Sequence, residues 1–274
     1  MSNGTEAQHQ GQRAYFDKAY SAYSGYQLEN WRRSYIRRIF PELRLGPGKA
    51  KAAFKFLDVG IGGSGYTVIE GARLGASTWG VDLSESGVAS ARRMAADALP
   101  TEAQKRCHFE CCPAEKLPFK DATFDAVSSI AVLEHVVEHE QAMAEIGRVL
   151  KPGGRAYVAV PHTYVKTPFL LGILNRINDR VVGHLRHYSA DDLKNSFEGQ
   201  GLQVVKVIYH AHSIKLLQFL LEKLRPAMKE PDSQVWWDLE QKDFDAWQDE
   251  HASMISVVVE KPMAKTAKRA KARR

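Results

Sequence analysis

Residues 54–66, Phe-Lys-Phe-Leu-Asp-Val-Gly-Ile-Gly-Gly-Ser-Gly-Tyr, run an apolar strand pattern straight into a glycine cluster. A second strand pattern, Thr78 to Val81, then ends on Asp82. Few folds call for that succession. A strand, a glycine turn and a helix, with a carboxylate closing the next strand about 20 residues on, open a parallel α/β sheet that binds a nucleotide-bearing cofactor. Gly60, Gly62 and Gly63 let backbone approach a ligand where a Cβ would block it, and Asp82 can accept from both hydroxyls of a ribose. Asp58 bears on which cofactor this is. A carboxylate beside the loop repels the pyrophosphate of a dinucleotide but suits a ligand carrying an ammonium and a sulfonium. The segment therefore favours S-adenosylmethionine over a nicotinamide dinucleotide, although Gly60, Gly62 and Gly65 also spell G-x-G-x-x-G.

Further stretches follow in a fixed order: Gly80-Val81-Asp82-Leu83-Ser84, Ala114-Glu115-Lys116-Leu117-Pro118-Phe119, Phe124-Asp125-Ala126-Val127 leading to Val132-Leu133-Glu134-His135-Val136, and Leu150-Lys151-Pro152-Gly153-Gly154. Together with Leu57-Asp58-Val59-Gly60-Ile61-Gly62, these resemble the motif series of class I S-adenosylmethionine-dependent methyltransferases of the small-molecule type, over about residues 54–161. The resemblance implies a cofactor site formed by Asp58, Gly60, Gly62, Gly63, Asp82, Leu83, Ala114, Glu115 and Ile130, with S-adenosylhomocysteine as product. Two positions depart from the pattern. Ser64 stands where a third loop glycine is usual, between Gly63 and Gly65. Pro113 replaces an Asp that often precedes the Ala-Glu pair, so adenine recognition falls to the Ala114 backbone, Glu115 and Leu83.

Strand patterns near 54–59, 78–82, 107–111, 125–130 and 155–160 alternate with helical patterns near 65–74, 86–98 and 139–150. Such alternation predicts a doubly wound, mostly parallel seven-stranded sheet, Rossmann-like, with ligands at the strands' carboxyl ends. Ser189 and Asp192 signal a helix start, Gln203 to Tyr209 the sixth strand, and Met254 to Glu260 a seventh, the last two pairing at the edge. The expected layout is one methyltransferase domain over 1–262. Residues 1–48 form an N-terminal helical cap and 50–160 the cofactor core, with lid or substrate segments at 161–188 and 210–252. The cap carries Tyr15, Phe16, Tyr20, Tyr23 and Tyr26. The 210–252 insertion is rich in apolar residues from Ile214 to Leu224 and carries Trp236, Trp237, Phe244 and Trp247; with Phe169 to Leu174 it is expected to roof the acceptor pocket.

The formal charge of +6 belongs to the C-terminus, where Lys261, Lys265, Lys268, Arg269, Lys271, Arg273 and Arg274 carry seven positive charges. A body near neutrality argues against specific nucleic-acid binding. Residues 263–274 read as a basic disordered tail with, at most, weak attraction to anionic membranes. Cys107, Cys111 and Cys112 do not form a disulfide framework or a zinc spacing, and buried thiols in a reducing compartment are expected. No leader pattern and no bilayer-length apolar run is read, so the expected location is cytoplasmic.

Methyl transfer from a sulfonium is an in-line displacement that needs mainly alignment and exclusion of water. A hydroxyl acceptor must also lose a proton, and His135 with Glu134, at the fourth strand's exit, is the expected base. The expected reaction is transfer to an oxygen of a lipid-like, aromatic or glycosylated small molecule. A nicotinamide-dependent oxidoreductase and a noncatalytic binding module are the alternatives. Tyr15, Tyr20, His162, His184 and His187 are candidate substrate contacts. His135-Val136-Val137-Glu138-His139 spells H-x-x-E-H, a zinc-peptidase pattern, but inside a methyltransferase series no metal is assigned to it; a divalent ion held by Glu134, His135, Glu138 and His139 is the variant reading.

Overall fold

Strand and helix alternation becomes a single mixed sheet in the computed structural model, which describes residues 3–20, 30–48, 53–163, 179, 183–210, 242 and 252–263. Among these residues the chain forms α1 (Asn3–Tyr20), α2 (Asn30–Glu42), β1 (Lys55–Val59), α3 (Tyr66–Arg73), β2 (Ser77–Asp82), α4 (Glu85–Ala98), α5 (Thr101–Gln104), β3 (Cys107–Cys111), β4 (Phe124–Ile130), α6 (His139–Val149), β5 (Leu150–Pro161), α7 (Ala190–Gly199), β6 (Gln203–His210) and β7 (Met254–Glu260). The seven strands lie in the order β3-β2-β1-β4-β5-β7-β6. β1 to β5 are parallel, and β7 runs antiparallel to both β5 and β6. This is the fold class read from the sequence. Tyr23, Tyr26, Phe169 to Leu174, residues 211–251 apart from Lys242, and residues 264–274 lie outside the described residues.

Strand order reverses between β1 and β4, which leaves a crevice at their carboxyl ends, the position where open α/β sheets bind ligands. Both faces of the sheet are covered, as parallel strands require. Phe56 and Leu57, neighbours on β1, are both fully buried and point to opposite faces. Phe56 packs with Ile39, Phe40, Leu43 and Tyr157, whereas Leu57 packs with Val127, Met143 and Ile146. Each such side chain contributes roughly 1.5–3 kcal/mol of burial free energy. β7 takes the inner place of the antiparallel pair because Ile255, Val257, Val258 and Val259 are apolar and fully buried. β6, carrying exposed Gln203, Val205 and Lys206, faces solvent along the edge.

Local signals in the sequence fix several element ends. Ser189 and Asp192 form the expected capping box, the Ser189 hydroxyl accepting from the Asp192 N–H at 3.1 Å. The left-handed turn that Ser64 does not supply is made at Gly65, whose φ of 55° caps α3, so the loop keeps its course with the glycine shifted by one. Lys261, grouped by charge with the tail, instead donates to the Gly147 carbonyl at 2.7 Å, at the C-terminal end of α6, where a cation also meets the helix dipole. The thiols are free, but only Cys112 is buried; Cys107 and Cys111 are half-buried. No helix among the described residues is long and apolar enough to cross a membrane.

Candidate active site

A pocket opens at the carboxyl ends of β1, β2 and β4, where open α/β sheets bind ligands. Its floor is backbone. Gly60, at φ 81°, turns the chain where any side chain would collide, since a Cβ there would lie 2.1 Å from Val132. Opposite, Asp82 is 8% exposed and held by two backbone donors: Gly62 N–H to Oδ2 and Ser84 N–H to Oδ1, both at 2.9 Å. Each oxygen keeps a lone pair for a further donor. Burial pushes the Asp82 carboxyl above its ordinary range, against the pull of these two bonds. Leu83, Pro113, Ala114 and Glu115 complete the wall.

α1 lies over the opening. His9, Gln12, Phe16 and Tyr20, spaced by three and four residues, put one helix face against the pocket. The helix is latched on three sides. His9 Nε2 meets Glu115 Oε1 at 3.0 Å, and Gln12 donates to the His135 carbonyl. Asp17 accepts from the Ser84 hydroxyl at 2.5 Å and from the Ser86 N–H at 3.2 Å, at the N-terminus of α4, where the helix dipole favours a carboxylate.

The third wall is the loop from β4 to α6. It starts at Ala131, a non-glycine residue at φ 55° that lines the pocket; backbone in that region costs of order 1–2 kcal/mol and is retained where the surroundings enforce it. His135 follows, packed edge-on against Phe16 at 5.3 Å and against His184 at 4.9 Å. Its Nδ1 lies 3.2 Å from the Gly183 carbonyl. A carbonyl only accepts, so Nδ1 carries the proton and Nε2 is left with a lone pair. Burial, then the neighbouring His184, lower the His135 pKa to about 4, so the ring is neutral throughout the physiological range. An unburied histidine titrates near 6.5; the departure here comes from the burial that α1 and the 183–188 segment impose.

That segment clamps the loop from behind. Leu185 N–H donates to the Glu134 carbonyl at 2.8 Å, Arg186 to the carbonyls of Leu133 and Val136, and the Tyr188 hydroxyl to Leu133 at 3.1 Å. Glu134 itself is fully buried and neither carboxylate oxygen has a hydrogen bond. Burial drives its pKa up to about 8.

Of the residues expected at the site, Gly60, Asp82, Leu83, Ala114, Glu115, Tyr20 and His135 line the pocket. Gly62 supplies the donor to Asp82, and its Cβ position would be 3.5 Å from the Tyr20 hydroxyl. Others stand elsewhere. Asp58 lies beneath the loop, its oxygens taken by the hydroxyls of Thr67 and of Ser128, the latter at 2.5 Å, and Ile130 packs into the core on the α2 side. Tyr15 is 46% exposed on the outer side of α1. His162 is buried against Tyr209 with Nδ1 3.2 Å from the Ala252 carbonyl. His184 and His187 gather around Asp179, at 2.8 and 3.2 Å. Glu138 and His139 do not join His135: the chain turns through 135–138, and α6 begins only at His139, so no helical H-x-x-E-H pair exists. His9, Gln12, Ala131 and Asp179 were not singled out from the sequence, and Phe16 was named only among the aromatic residues of the cap.

Residues 57–158 match the methyltransferase domain family. An O-methyltransferase of Penicillium expansum is 30% identical over 168 residues, 60% of this chain and 56% of that protein. The mitochondrial ubiquinone biosynthesis O-methyltransferase of Homo sapiens is 30% identical over 171 residues, 59% of this chain and 45% of its own length. The chain thus spans about half the length of the curated relatives it matches. Among solved structures, geranyl diphosphate C-methyltransferase from Streptomyces coelicolor superposes with a TM-score of 0.65 at 14% identity, covering 93% of this chain and 98% of that one. The [4+2]-cyclase SpnF gives 0.60 at 22% identity, covering 85% and 83%. At those identities the structures speak for the fold alone; it is over residues 57–158, through the ordered motifs and the matched domain, that the chain is similar to methyltransferases.

Proposed function

We propose that the chain transfers a methyl group from S-adenosylmethionine to an oxygen of a small-molecule acceptor. The observation that carries this reading is one pocket holding two different chemistries: the Asp82 carboxylate on one wall and the unprotonated Nε2 of His135 on another. The residues suit the cofactor. Asp82, fixed by two backbone donors, offers both oxygens to a ribose. Leu83, Ala114 and Glu115 border the space for an adenine. When bound, the cofactor supplies an electrophilic methyl on sulfur, and sulfur leaves as a neutral thioether.

The chain's own contribution is alignment, exclusion of water and removal of one proton. α1, latched through His9, Gln12 and Asp17, covers the pocket. His135 Nε2 takes the acceptor's hydroxyl proton as the oxygen bonds to carbon, and its Nδ1–H stays on the Gly183 carbonyl, which holds the ring's direction. An acceptor that is lipid-like, aromatic or glycosylated suits the wall formed by Phe16, Val132 and Val136.

The test is incubation with label-bearing S-adenosylmethionine and a metabolite extract, with mass identification of the labelled product, for the parent and for His135→Ala. Turnover on that product should fall by roughly 10² to 10⁴ in the variant while affinity for S-adenosylhomocysteine holds, the range general-base catalysis supplies. A variant with near-full turnover would reduce His135 to a structural residue. A labelled carbon instead of oxygen would overturn the acceptor class.

A further inference from the structure

Beside His135 stands a cluster that methyl transfer, as described, does not use. His184 Nδ1 lies 2.8 Å from Asp179 Oδ1, and His187 Nε2 lies 3.2 Å from Asp179 Oδ2. One ligand atom from each of these three side chains lies within 4.8 Å of the other two. Across the His184 ring, Nε2 faces Glu134 Oε1 at 3.9 Å. Glu134 is the odd member: it has no exposed surface, and neither of its oxygens accepts a hydrogen bond. Held as an anion, a carboxyl taken out of water without a donor or countercharge is costly, and a cation beside it would favour the charged form.

We infer that Asp179, His184 and His187 bind a divalent transition-metal ion, with Glu134 supporting it through His184. Two imidazoles and a carboxylate form a ligand set suited to zinc and its first-row neighbours, whereas magnesium and calcium prefer oxygens throughout. A metal on His184 Nδ1 leaves the ring proton on Nε2. That proton faces Glu134 Oε1 across 3.9 Å, and a closer approach of the two would complete the arrangement in which a carboxylate orients a metal-bound histidine. The ion's charge also offsets the buried carboxylate. The ligands come from the 179–187 stretch and leave His135 with its proton-accepting nitrogen intact.

The ion's place in the fold gives it a task. His184 and His187 belong to the segment whose Leu185, Arg186 and Tyr188 clamp the loop from Leu133 to Val136, and Gly183, beside His184, sets the direction of His135. A metal tying Asp179 to both histidines would make that clamp rigid, so these are positioning residues and not catalytic ones.

The experiment uses the full chain, stripped with chelator and then titrated with zinc alone. Metal content is read by mass spectrometry and stability by thermal denaturation, neither of which depends on methyl transfer. The expected result is about one zinc per chain and a melting temperature that rises on reloading. Asp179→Asn and His187→Ala should weaken zinc by at least tenfold, and His135→Ala should not change it. Cobalt, bound in place of zinc in the parent chain, should give the visible absorption of a tetrahedral nitrogen and oxygen site, a readout that holds even where a variant fails to fold. A parent chain that binds no zinc and no cobalt overturns the inference. So does unchanged affinity in folded His187→Ala, and so does loss in His135→Ala, which would move the ion to Glu134, His135 and His184.

Discussion

Replacing Asp82 with Asn tests the cofactor wall with the least disturbance to the fold. The two side chains have the same shape, and the carboxylate now accepts from Gly62 N–H and Ser84 N–H at 2.9 Å each. An amide must turn its NH₂ toward one of these two donors, so it keeps one backbone bond and one acceptor for the ribose and loses the charge that strengthens both. The lost contact is charge-assisted, about 1.5–3 kcal/mol, or roughly 10- to 200-fold in the dissociation constant for S-adenosylhomocysteine. Asp82→Ala removes both acceptors and should fall at or beyond the upper end. Stability should move much less than affinity, because burial already pushes the Asp82 carboxyl above its ordinary range, so that a neutral group relieves a cost while it forfeits a bond. Calorimetric titration reads the affinity, and circular dichroism at increasing temperature reads the fold. A folded Asp82→Asn protein whose affinity stays within threefold of the parent would refute the ribose role and with it the physical basis of the site.

Three further outcomes follow from other parts of the structure. Asp58 is pushed up to about 7 chiefly by burial, against the pull of Ser128 and Thr67. The native chain therefore keeps a proton that the unfolded chain sheds, so the stability Asp58 contributes is complete below about pH 4 and is lost as pH rises through about 7. The melting-temperature difference between Asp58→Asn and the parent should then shift in the variant's favour between pH 4 and pH 7.5, and a constant difference would show that Asp58 is not so perturbed. Gly60→Ala combines a left-handed φ of 81° with a Cβ 2.1 Å from Val132; a loss of about 2–5 kcal/mol in urea unfolding is expected from strain and overpacking together, and a loss under 1 kcal/mol would mean the loop moves aside freely. Glu115→Gln should loosen α1 through His9, seen as faster amide exchange in residues 9–20 with the sheet unchanged; unaltered exchange there would assign the latch to Gln12 and Asp17.

What the sequence made legible, and what it did not, follows from the range over which each signal acts. The cofactor loop could be read because backbone geometry restricts residue choice locally: Gly60 sits where φ is positive and a side chain would collide, and Asp82 ends β2 where two N–H groups converge on it. Helix α1 was harder. The aromatic residues drew attention to Tyr15, which points outward at 46% exposure, whereas the face over the pocket mixes His9, Gln12, Phe16 and Tyr20. A face that meets a polar ligand is not apolar, so hydrophobic periodicity does not mark it; the spacing of three and four residues does. Asp58 misled in a different way. Its residue type suggested an electrostatic partner for the ligand, but Thr67 and Ser128 take up both oxygens beneath the loop, so its influence on a cation in the pocket reaches it through protein and not by contact. His135, Glu134 and the Asp179–His187 group were least legible as a unit. Neighbours in space here are some 45 residues apart in sequence, and the tempting local pattern, His135 with Glu138 and His139, presumes a continuous helix that the turn at 135–138 denies. The clamp explains why the helix starts late. Arg186 and Tyr188 draw on the carbonyls of Leu133 and Val136, groups an earlier helix start would commit to its own ladder, so the same bonds that hold His135 toward the pocket also forbid the metal pair its sequence spells.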